Sequence, residues 1–174
     1  RHLIGEDWNK VLPELIPEFC TATDALTYQL ACLKIIARIH DTHAGLWGGA
    51  AAIQKMKGEY FAPFQASFIE DKLVVTGYYK DSMTVKNIVK PGDIIEKIGD
   101  SKVADLVAKY LPLTPASNYE TQQRDLVSIQ GFLLRSTNKS VQMTINRDGK
   151  IAEVTIEQMP LAKLTKADIG EKAD

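Results

Sequence analysis

The chain has 174 residues, of which 45% are hydrophobic and 25% are charged, and its formal net charge is -1 at pH 7. This composition is ordinary for globular protein, and the length allows one large domain or two small ones. The near-neutral charge provides no basic field, so we expect neither a nucleic acid nor an anionic membrane as a partner. No apolar run approaches the roughly 20 residues that cross a bilayer. Because residue 1 is arginine and no signal peptide is visible, we interpret the chain as a mature or excised piece.

The first 40 or so residues show helical spacing of apolar side chains. Apolar residues recur every three or four positions from Trp8 to Phe19, and Pro13 and Pro17 interrupt them, which predicts a helix that is kinked or in two pieces. A second apolar stripe extends to His40 and consists of Ala25, Tyr28, Cys32, Ile35, Ile36 and Ile39. We therefore expect an antiparallel helical hairpin that buries its apolar face against another part of the chain.

The ends of these helices carry their own signals. Thr21 and Asp24 have the spacing of a capping box for the second helix. After that helix, Gly45, Gly48 and Gly49 disfavour further helix by about 1 kcal/mol each relative to alanine. We interpret the alanine-rich segment 50–58 as a partly mobile connection to the second half of the chain.

Cys20 and Cys32 are the only cysteines. A disulfide between them requires Cα atoms within about 7 Å, and we favour the alternative that both are small buried apolar side chains. Two cysteines without histidines at ligand spacing do not predict a zinc site. We expect no metal and no cofactor.

From Tyr60 onward the apolar pattern has the period of β-strands. Residues 64–68 alternate, residues 70–72 predict a turn, and an apolar run follows at 73–76. The stretch from Ile88 to Val103 reads IVKPGDIIEKIGDSKV. Its Pro91-Gly92 pair predicts a type II turn, since proline presets φ and glycine tolerates the positive φ that follows. A short strand is expected after this turn, and Gly99-Asp100 turns the chain again.

The last third of the chain mixes helix and strand signals. A short helix is expected over about 104–110, stopped by Pro112, and a longer one begins at Ser117 with Glu120 as its capping-box partner. Its predicted inward face consists of Leu126, Val127, Ile129, Leu133 and Leu134. Asp148-Gly149 is a hairpin signal between two alternating strands, and the lysine-rich tail from Leu161 predicts a linker.

The phrase PGDIIEKIGD at residues 91–100 resembles the GD-x-I-x-x-I-(D/N)-G signature of bacterial PDZ domains. A helical hairpin, then Asp41-Thr42-His43, then a PDZ-like module is an order that resembles the front half of the tricorn-like and C-terminal-processing serine peptidases. The resemblance implies an α+β protein in which an N-terminal helical hairpin precedes a PDZ-like small β-barrel or sandwich with two helices. It implies three parts: a helical domain and connection at 1–57, a PDZ-like domain at 58–160, and a linker at 161–174 toward a missing catalytic domain.

The resemblance also implies a catalytic role for the turn that ends the helical hairpin. In the tricorn-like branch a histidine at this point is the general base, which would make His43 the base and place Thr42 where that family has serine. An imidazole with an ordinary pKa near 6.5 suits this role. In the processing-peptidase branch the chemistry belongs to a serine–lysine pair and the histidine is structural. Both roles stay open, the structural one being a local hydrogen bond or dipole contact at a helix end.

PDZ-like modules bind an extended peptide as an added strand. By resemblance, the loop Tyr60–Pro63 would receive a terminal carboxylate, the strand Phe64–Phe68 would pair with the peptide, and the helix after Ser117 would form the other wall. The implied peptide-binding residues are Tyr60, Phe61, Ala62, Phe64, Gln65, Ala66 and Leu126. The loop contains no glycine and Pro63 has no N–H, so the groove is open, altered or blocked. For Phe61, Phe64 and Phe68 we favour core packing over peptide contact.

The expected function is the non-catalytic front portion of a serine endopeptidase, whose PDZ-like module recognises or gates substrate peptides while the helical unit braces the active site. The expected partners are a peptide or unfolded-protein substrate and a catalytic domain of the same chain. Because no nucleophile motif is present, this piece alone should be inactive. The alternatives are a stand-alone PDZ-like peptide-binding or scaffold protein and a peptidase relative that has lost activity. The resemblance suggests an extracytoplasmic location, which is periplasmic, secreted or lipid-anchored.

Overall fold

The computed structural model of this α+β protein describes residues 6–47, 50–79 and 84–163. Three helices form its first part, namely α1 at Trp8–Thr21, α2 at Ala25–Ala37 and α3 at Ala51–Lys57. Most of the predicted linker at 161–174, as well as Gly48 and Gly49, lies outside the described residues. Only Leu161–Lys163 of that linker is described, as a 3₁₀ turn.

Helix α1 is helical without interruption, so the prediction of a two-piece helix is wrong. Pro13 and Pro17 both lie inside it and both are exposed. Each proline removes one backbone hydrogen bond. The buried side chains Val11 and Leu15 lie one turn apart on the opposite side and hold the helix to the rest of the protein.

The capping box of α2 lies three residues later than predicted. Asp24 is the N-cap, its carboxylate accepts a hydrogen bond from Thr27 N at 2.8 Å, and the Thr27 hydroxyl accepts one from Asp24 N at 3.3 Å. Thr21 is instead the last residue of α1, where its hydroxyl donates to Pro17 O at 2.9 Å. Aspartate and threonine can therefore exchange the two roles of the box.

The predicted inward stripe of α2 is displaced. Ala31 and Ala37 are the buried residues, whereas Tyr28 is 54% exposed. The helix carries apolar side chains on most of its circumference and packs against α1, α3 and a later 3₁₀ turn. The spacing of its apolar residues therefore could not select its inward face. The helix also ends at Ala37 rather than at His40, whose φ of 56° is left-handed.

Segment 50–58 was predicted as a connection, but it contains α3. The N-cap residue Ala50 has no side-chain acceptor, and Gln29 of α2 supplies one instead. Its Oε1 accepts from Ala52 N at 3.1 Å and from Ile53 N at 3.3 Å. Ile53 itself is 1% exposed. The helix is therefore stabilised by tertiary contacts that no local pattern announces.

In the part of the chain that the structure describes, nine strands in two open sheets follow the helices. The strands are β1 Tyr60–Phe61, β2 Phe64–Ile69, β3 Lys72–Tyr78, β4 Ile94–Ile98, β5 Ser101–Lys102, β6 Arg135–Ser136, β7 Ser140–Arg147, β8 Lys150–Glu157 and β9 Met159–Pro160. The larger sheet has the order β2-β3-β4-β7-β8 with β5 paired to β4, and the smaller has the order β6-β1-β9. All described pairings are antiparallel. Neither sheet closes into the barrel that was one of the predicted forms.

The predicted turns are confirmed. Asp93 N donates to Lys90 O at 3.0 Å and Gly92 has a φ of 96°, as a type II turn requires. Asp148 and Gly149 have φ values of 50° and 82° and join β7 to β8, with Arg147 opposite Lys150.

Two helices pack on the larger sheet: α4 at Val103–Tyr110 and α5 at Tyr119–Val127. The cap of α5 is Asn118, which accepts from Thr121 N at 2.8 Å, and not the predicted Ser117. Leu133 and Leu134 of its predicted inward face lie beyond the helix. They are nevertheless buried, since the chain folds back until Phe132 N and Leu133 N donate to Leu126 O, at 3.0 and 3.1 Å.

The two cysteines are free. Cys20 is exposed and Cys32 is half-buried. The favoured interpretation of two buried apolar side chains is therefore wrong for Cys20, in the last turn of α1, and Cys32 is only partly covered.

Candidate peptide-binding site

Strand β2 forms one edge of the larger sheet, and α5 lies beside it. Gln123 of α5 donates through Nε2 to Asp71 Oδ1 at 2.8 Å, which fixes the helix at the β2–β3 turn. In the last turn of α5, Leu126 and Val127 are buried in the core of the second part. The helix and the edge strand therefore form two neighbouring walls.

Two backbone amides of β2 are oriented toward this open edge. Ala66 lies opposite Val75, whose N–H donates to Asp93 O at 2.9 Å on the far side of β3. Ala66 and Val75 are therefore a non-hydrogen-bonded pair, in which the amides of both residues point away from each other. The N–H of Ala66 thus faces the open edge. Phe68, two residues further along, has the same orientation. In the described part of the chain, no strand pairs with this edge.

The structure separates the seven predicted peptide-binding residues into two groups. Tyr60, Gln65 and Ala66 are half-buried. The side chains of the other four are 0% exposed and belong to the core: Phe61, Ala62, Phe64 and Leu126. These four residues, backbone included, do not reach the surface, as expected from the core packing favoured for Phe61 and Phe64. Their role in peptide binding stays a prediction.

The loop expected to receive a carboxylate has few backbone donors to offer. Tyr60 and Phe61 form β1, the middle strand of the smaller sheet, between β6 and β9. Ala62 N donates to Leu134 O at 2.9 Å, and Pro63 has no N–H. This loop therefore lacks the converging free amides of an anion-binding nest.

His43 lies in an exposed turn after α2, with 94% of its side chain accessible. Its Nδ1 is 3.0 Å from Asp41 Oδ1, and the same oxygen accepts from His43 N at 2.8 Å. Hydrogen bonds from the His43 backbone and ring lower the pKa of Asp41. The carboxylate thus orients the imidazole and leaves Nε2 toward solvent, an arrangement that suits a general base but also a purely local helix-end contact.

A cleft of about 540 Å³ separates the helical part from α5 and the segment after it. The turn after α2 forms one wall through Thr42 and the 82% exposed Trp47. Lys57 of α3 and Phe132 also line the cleft, where Lys57 Nζ lies 4.0 Å from the centre of the Phe132 ring. Sequence reasoning missed Lys57 and Phe132, because no motif or spacing marks them.

Fold and site together define an α+β protein in which an edge strand lies beside a helix. No protein-family model matches the chain, and no curated protein matches it. Among solved structures, the chain is similar to the PDZ domain of a carboxy-terminal protease from Vibrio cholerae, solved in complex with peptide. That match has 12% identity and a TM-score of 0.36, and covers 57% of this chain and 92% of that one.

The chain is also similar to a photosystem II D1 C-terminal processing protease. The identity is 12% and the TM-score is 0.43. The match covers 91% of this chain, which spans only 39% of the length of the processing protease.

In the described ranges, no helix is long and apolar enough to cross a membrane. Those residues also contain no group of three or more potential metal ligands among histidine, cysteine, aspartate and glutamate.

Proposed function

We propose that this chain binds extended peptides by strand addition to β2, and that it does so as the substrate-recognition portion of a serine endopeptidase. The observation that carries the binding proposal is the open edge of β2 beside α5, with the amides of Ala66 and Phe68 directed outward. Backbone hydrogen bonds would supply affinity, and the half-buried side chains along the groove would supply selectivity.

The binding proposal is tested by removing one outward amide. Ala66→Pro deletes the N–H while keeping a small apolar side chain, and proline is tolerated on an edge strand. A fluorescently labelled peptide selected from a random library on the wild-type chain serves as the probe in an anisotropy titration. We expect Ala66→Pro to weaken peptide binding about tenfold or more. The variant loses one hydrogen bond of ~1 kcal/mol, and the proline ring also hinders the neighbouring backbone hydrogen bond to the peptide.

Ala66→Gly is the matched control, because it shortens the same side chain but keeps the amide. Its affinity should stay within about threefold of wild type. If Ala66→Gly and Ala66→Pro weaken peptide binding equally, the side chain of residue 66 rather than its backbone amide makes the contact. Strand addition is then wrong.

The endopeptidase part of the proposal assigns His43 as general base, oriented by Asp41, with Thr42 at the neighbouring position. The exposed imidazole with a carboxylate on Nδ1 supports it. Residues outside this chain would supply the nucleophile. The test is a peptidase assay on the longer protein that contains this chain, comparing wild type with His43→Ala and His43→Gln. A loss of several orders of magnitude in both variants supports the base, whereas unchanged cleavage makes His43 structural.

An extracytoplasmic location belongs to the same proposal and follows from the resemblance alone. Fractionation of cells that express the longer protein tests it directly. The alternative, a stand-alone peptide-binding module, predicts binding by this chain without any peptidase activity in the complete gene product.

A further inference from the structure

Two cationic side chains, Lys57 at the end of α3 and Arg135 in β6, share the lining of a second pocket of about 230 Å³. The other lining residues are Met56, Tyr110, Phe132, Ser136 and Thr137. None of these is acidic. Within residues 6–47, 50–79 and 84–163, neither cation forms an ion pair.

Neutral backbone and side-chain oxygens occupy only part of the hydrogen-bonding capacity of this pair. The Arg135 guanidinium donates to Gly58 O, to Gln54 Oε1 at 2.6 Å and to Gln54 O. Lys57 Nζ donates to Gln130 O at 2.6 Å. Because an ammonium carries three donors, at least one N–H group of Lys57 remains for another acceptor besides this carbonyl and the Phe132 ring.

Among the described residues, the Phe132 ring faces the Lys57 ammonium, but no acidic group compensates the two positive charges. Burial and, as the smaller cause, the adjacent positive charge of Arg135 together lower the pKa of Lys57 to about 8. Burial likewise lowers the pKa of Arg135. Two partly desolvated like charges at one site repel each other, and an anion between them would relieve that repulsion.

Hydroxyl groups complete the set of donors. Ser136 Oγ accepts from Asn138 N at 2.9 Å, which leaves its O–H free to donate, and Tyr110 and Thr137 line the same pocket. Ammonium and hydroxyl donors around a positive field are the groups that hold carboxylates, phosphates and sulfates in proteins. The stacked rings of Tyr110 and Phe132, 4.8 Å apart, form a rigid apolar side to the pocket.

We infer that the pocket between α3 and β6 binds an oxyanion through Lys57 and the neighbouring hydroxyls, with Arg135 contributing a fixed positive charge. The oxyanion is either a free inorganic anion or a carboxylate on a peptide. This pocket does not include the strand edge of β2, so the inference is independent of the proposed function.

The test uses inorganic sulfate as the probe, added to the whole chain at constant ionic strength with sodium chloride as the balancing salt. Binding is followed by NMR of the ¹³Cε resonance of Lys57 and by calorimetry near pH 7. We expect sulfate to raise the apparent pKa of Lys57 above about 8, because a bound anion favours the charged amine. Lys57→Gln should weaken sulfate binding about 10- to 100-fold, the loss for a charge-assisted hydrogen bond.

Lys55→Gln is the matched control, since Lys55 is exposed on the same helix and does not line the pocket. It should bind sulfate like wild type. If sulfate leaves the Lys57 titration unchanged, the inference is wrong, and this measurement needs no variant to fold. Equal binding by the Lys57 and Lys55 variants would also overturn it.

Two further probes distinguish the sources of the anion. A tetrapeptide with a free C-terminal carboxylate and the same peptide as a C-terminal amide compete against sulfate. Competition by the acid alone assigns the pocket to peptide carboxylates. If neither peptide competes while sulfate binds, the natural ligand class is a free inorganic oxyanion.

Discussion

At the scale of single residues, the Asp93–Arg147 pair shows how the turn after Pro91 is held in place. Asp93 is 1% exposed, and its carboxylate accepts from Arg147 Nε at 2.7 Å, from Arg147 Nη2 at 2.6 Å and from Lys90 N at 2.7 Å. Burial by itself would raise the pKa of Asp93, but these donors outweigh burial and hold it below its ordinary value. A bidentate arginine is the partner that makes such a buried carboxylate tolerable.

Asp93→Asn should therefore destabilise the chain by about 2–3 kcal/mol at pH 7, toward the low end for a broken buried pair because Arg147 stays 39% exposed. The depressed pKa means that the stabilisation is present above the unfolded-state pKa of about 3.9 and is lost as the pH falls through the folded-state value. Urea unfolding of both proteins from pH 7 to pH 3 measures this. An equal loss of stability on acidification in wild type and variant would assign the acid sensitivity to other groups.

Glu6 provides a second acid-sensitive contact, in the helical part. Hydrogen bonds from Arg38 and then His40 lower its pKa to about 2, from an ordinary 4.5. Its stabilisation is present above about pH 4.5 and disappears as the pH approaches 2. In Glu6→Gln, the unfolding free energy should depend less on pH in that window, as measured by urea titrations. A variant with the wild-type pH dependence would show that Glu6 is not involved.

At the scale of elements, Gly58 shows why α3 must end where it does. Its φ is 88°, and a Cβ built there would lie 2.1 Å from Ser136 O, a backbone atom of β6. Gly92 has a similar φ of 96° but has nothing within 4 Å of such a Cβ. The two glycines therefore separate backbone strain from steric overlap.

Gly92→Ala should cost about 1–2 kcal/mol, the strain of a left-handed alanine. Gly58→Ala should cost about 3 kcal/mol or more, because α3 and β6 must also move apart. Thermal unfolding monitored by circular dichroism compares the two. Equal losses would mean that the contact between Gly58 and Ser136 relaxes without cost.

Helix α3 further depends on a side chain that is distant in sequence. Replacing Gln29 by leucine removes the acceptor for the amides of Ala52 and Ile53 while keeping the size of the side chain. We expect a loss of about 1–2 kcal/mol, the usual effect of removing a helix cap. Amide hydrogen exchange should accelerate at these two residues more than in α5. Unchanged protection would indicate that burial of Ile53 alone holds the helix.

At the scale of the whole molecule, α3 connects the helical part to the β-rich part. Gln29 holds its beginning, whereas Arg135 and Lys57 connect its end to β6 and to Gln130. We expect the two parts to unfold in one cooperative transition, because these contacts stabilise each part only while the other is folded. Both tryptophans, Trp8 and Trp47, lie in the helical part and report on it by fluorescence.

Tryptophan fluorescence reports on the helical part, and far-UV circular dichroism also reports on the sheets. We therefore expect the two signals to give the same urea midpoint. Arg135→Met, which removes the contacts to Gln54 and Gly58, should separate the two transitions. Separate midpoints already in the wild type would contradict this prediction and show two independent units.

The sequence by itself determined the features whose causes are local. The turn at Pro91-Gly92, the hairpin at Asp148-Gly149 and the existence of α1, α2, α4 and α5 followed from residues that favour one backbone conformation or one periodicity. Cap positions were displaced by one to three residues because aspartate, asparagine, serine and threonine can all cap a helix and stand close together here.

The tertiary structure decided what depends on residues distant in sequence. Helix α3 forms because Gln29 and Ile53 find partners outside it. The buried face of α2 is set by which neighbours pack against an almost uniformly apolar helix. Strand order likewise determines the edge position of β2 and the outward amide of Ala66. The packing of α3 against β6 brings Lys57 close to Arg135. A one-dimensional pattern records which groups can interact, but strand pairing and helix packing determine which of them meet.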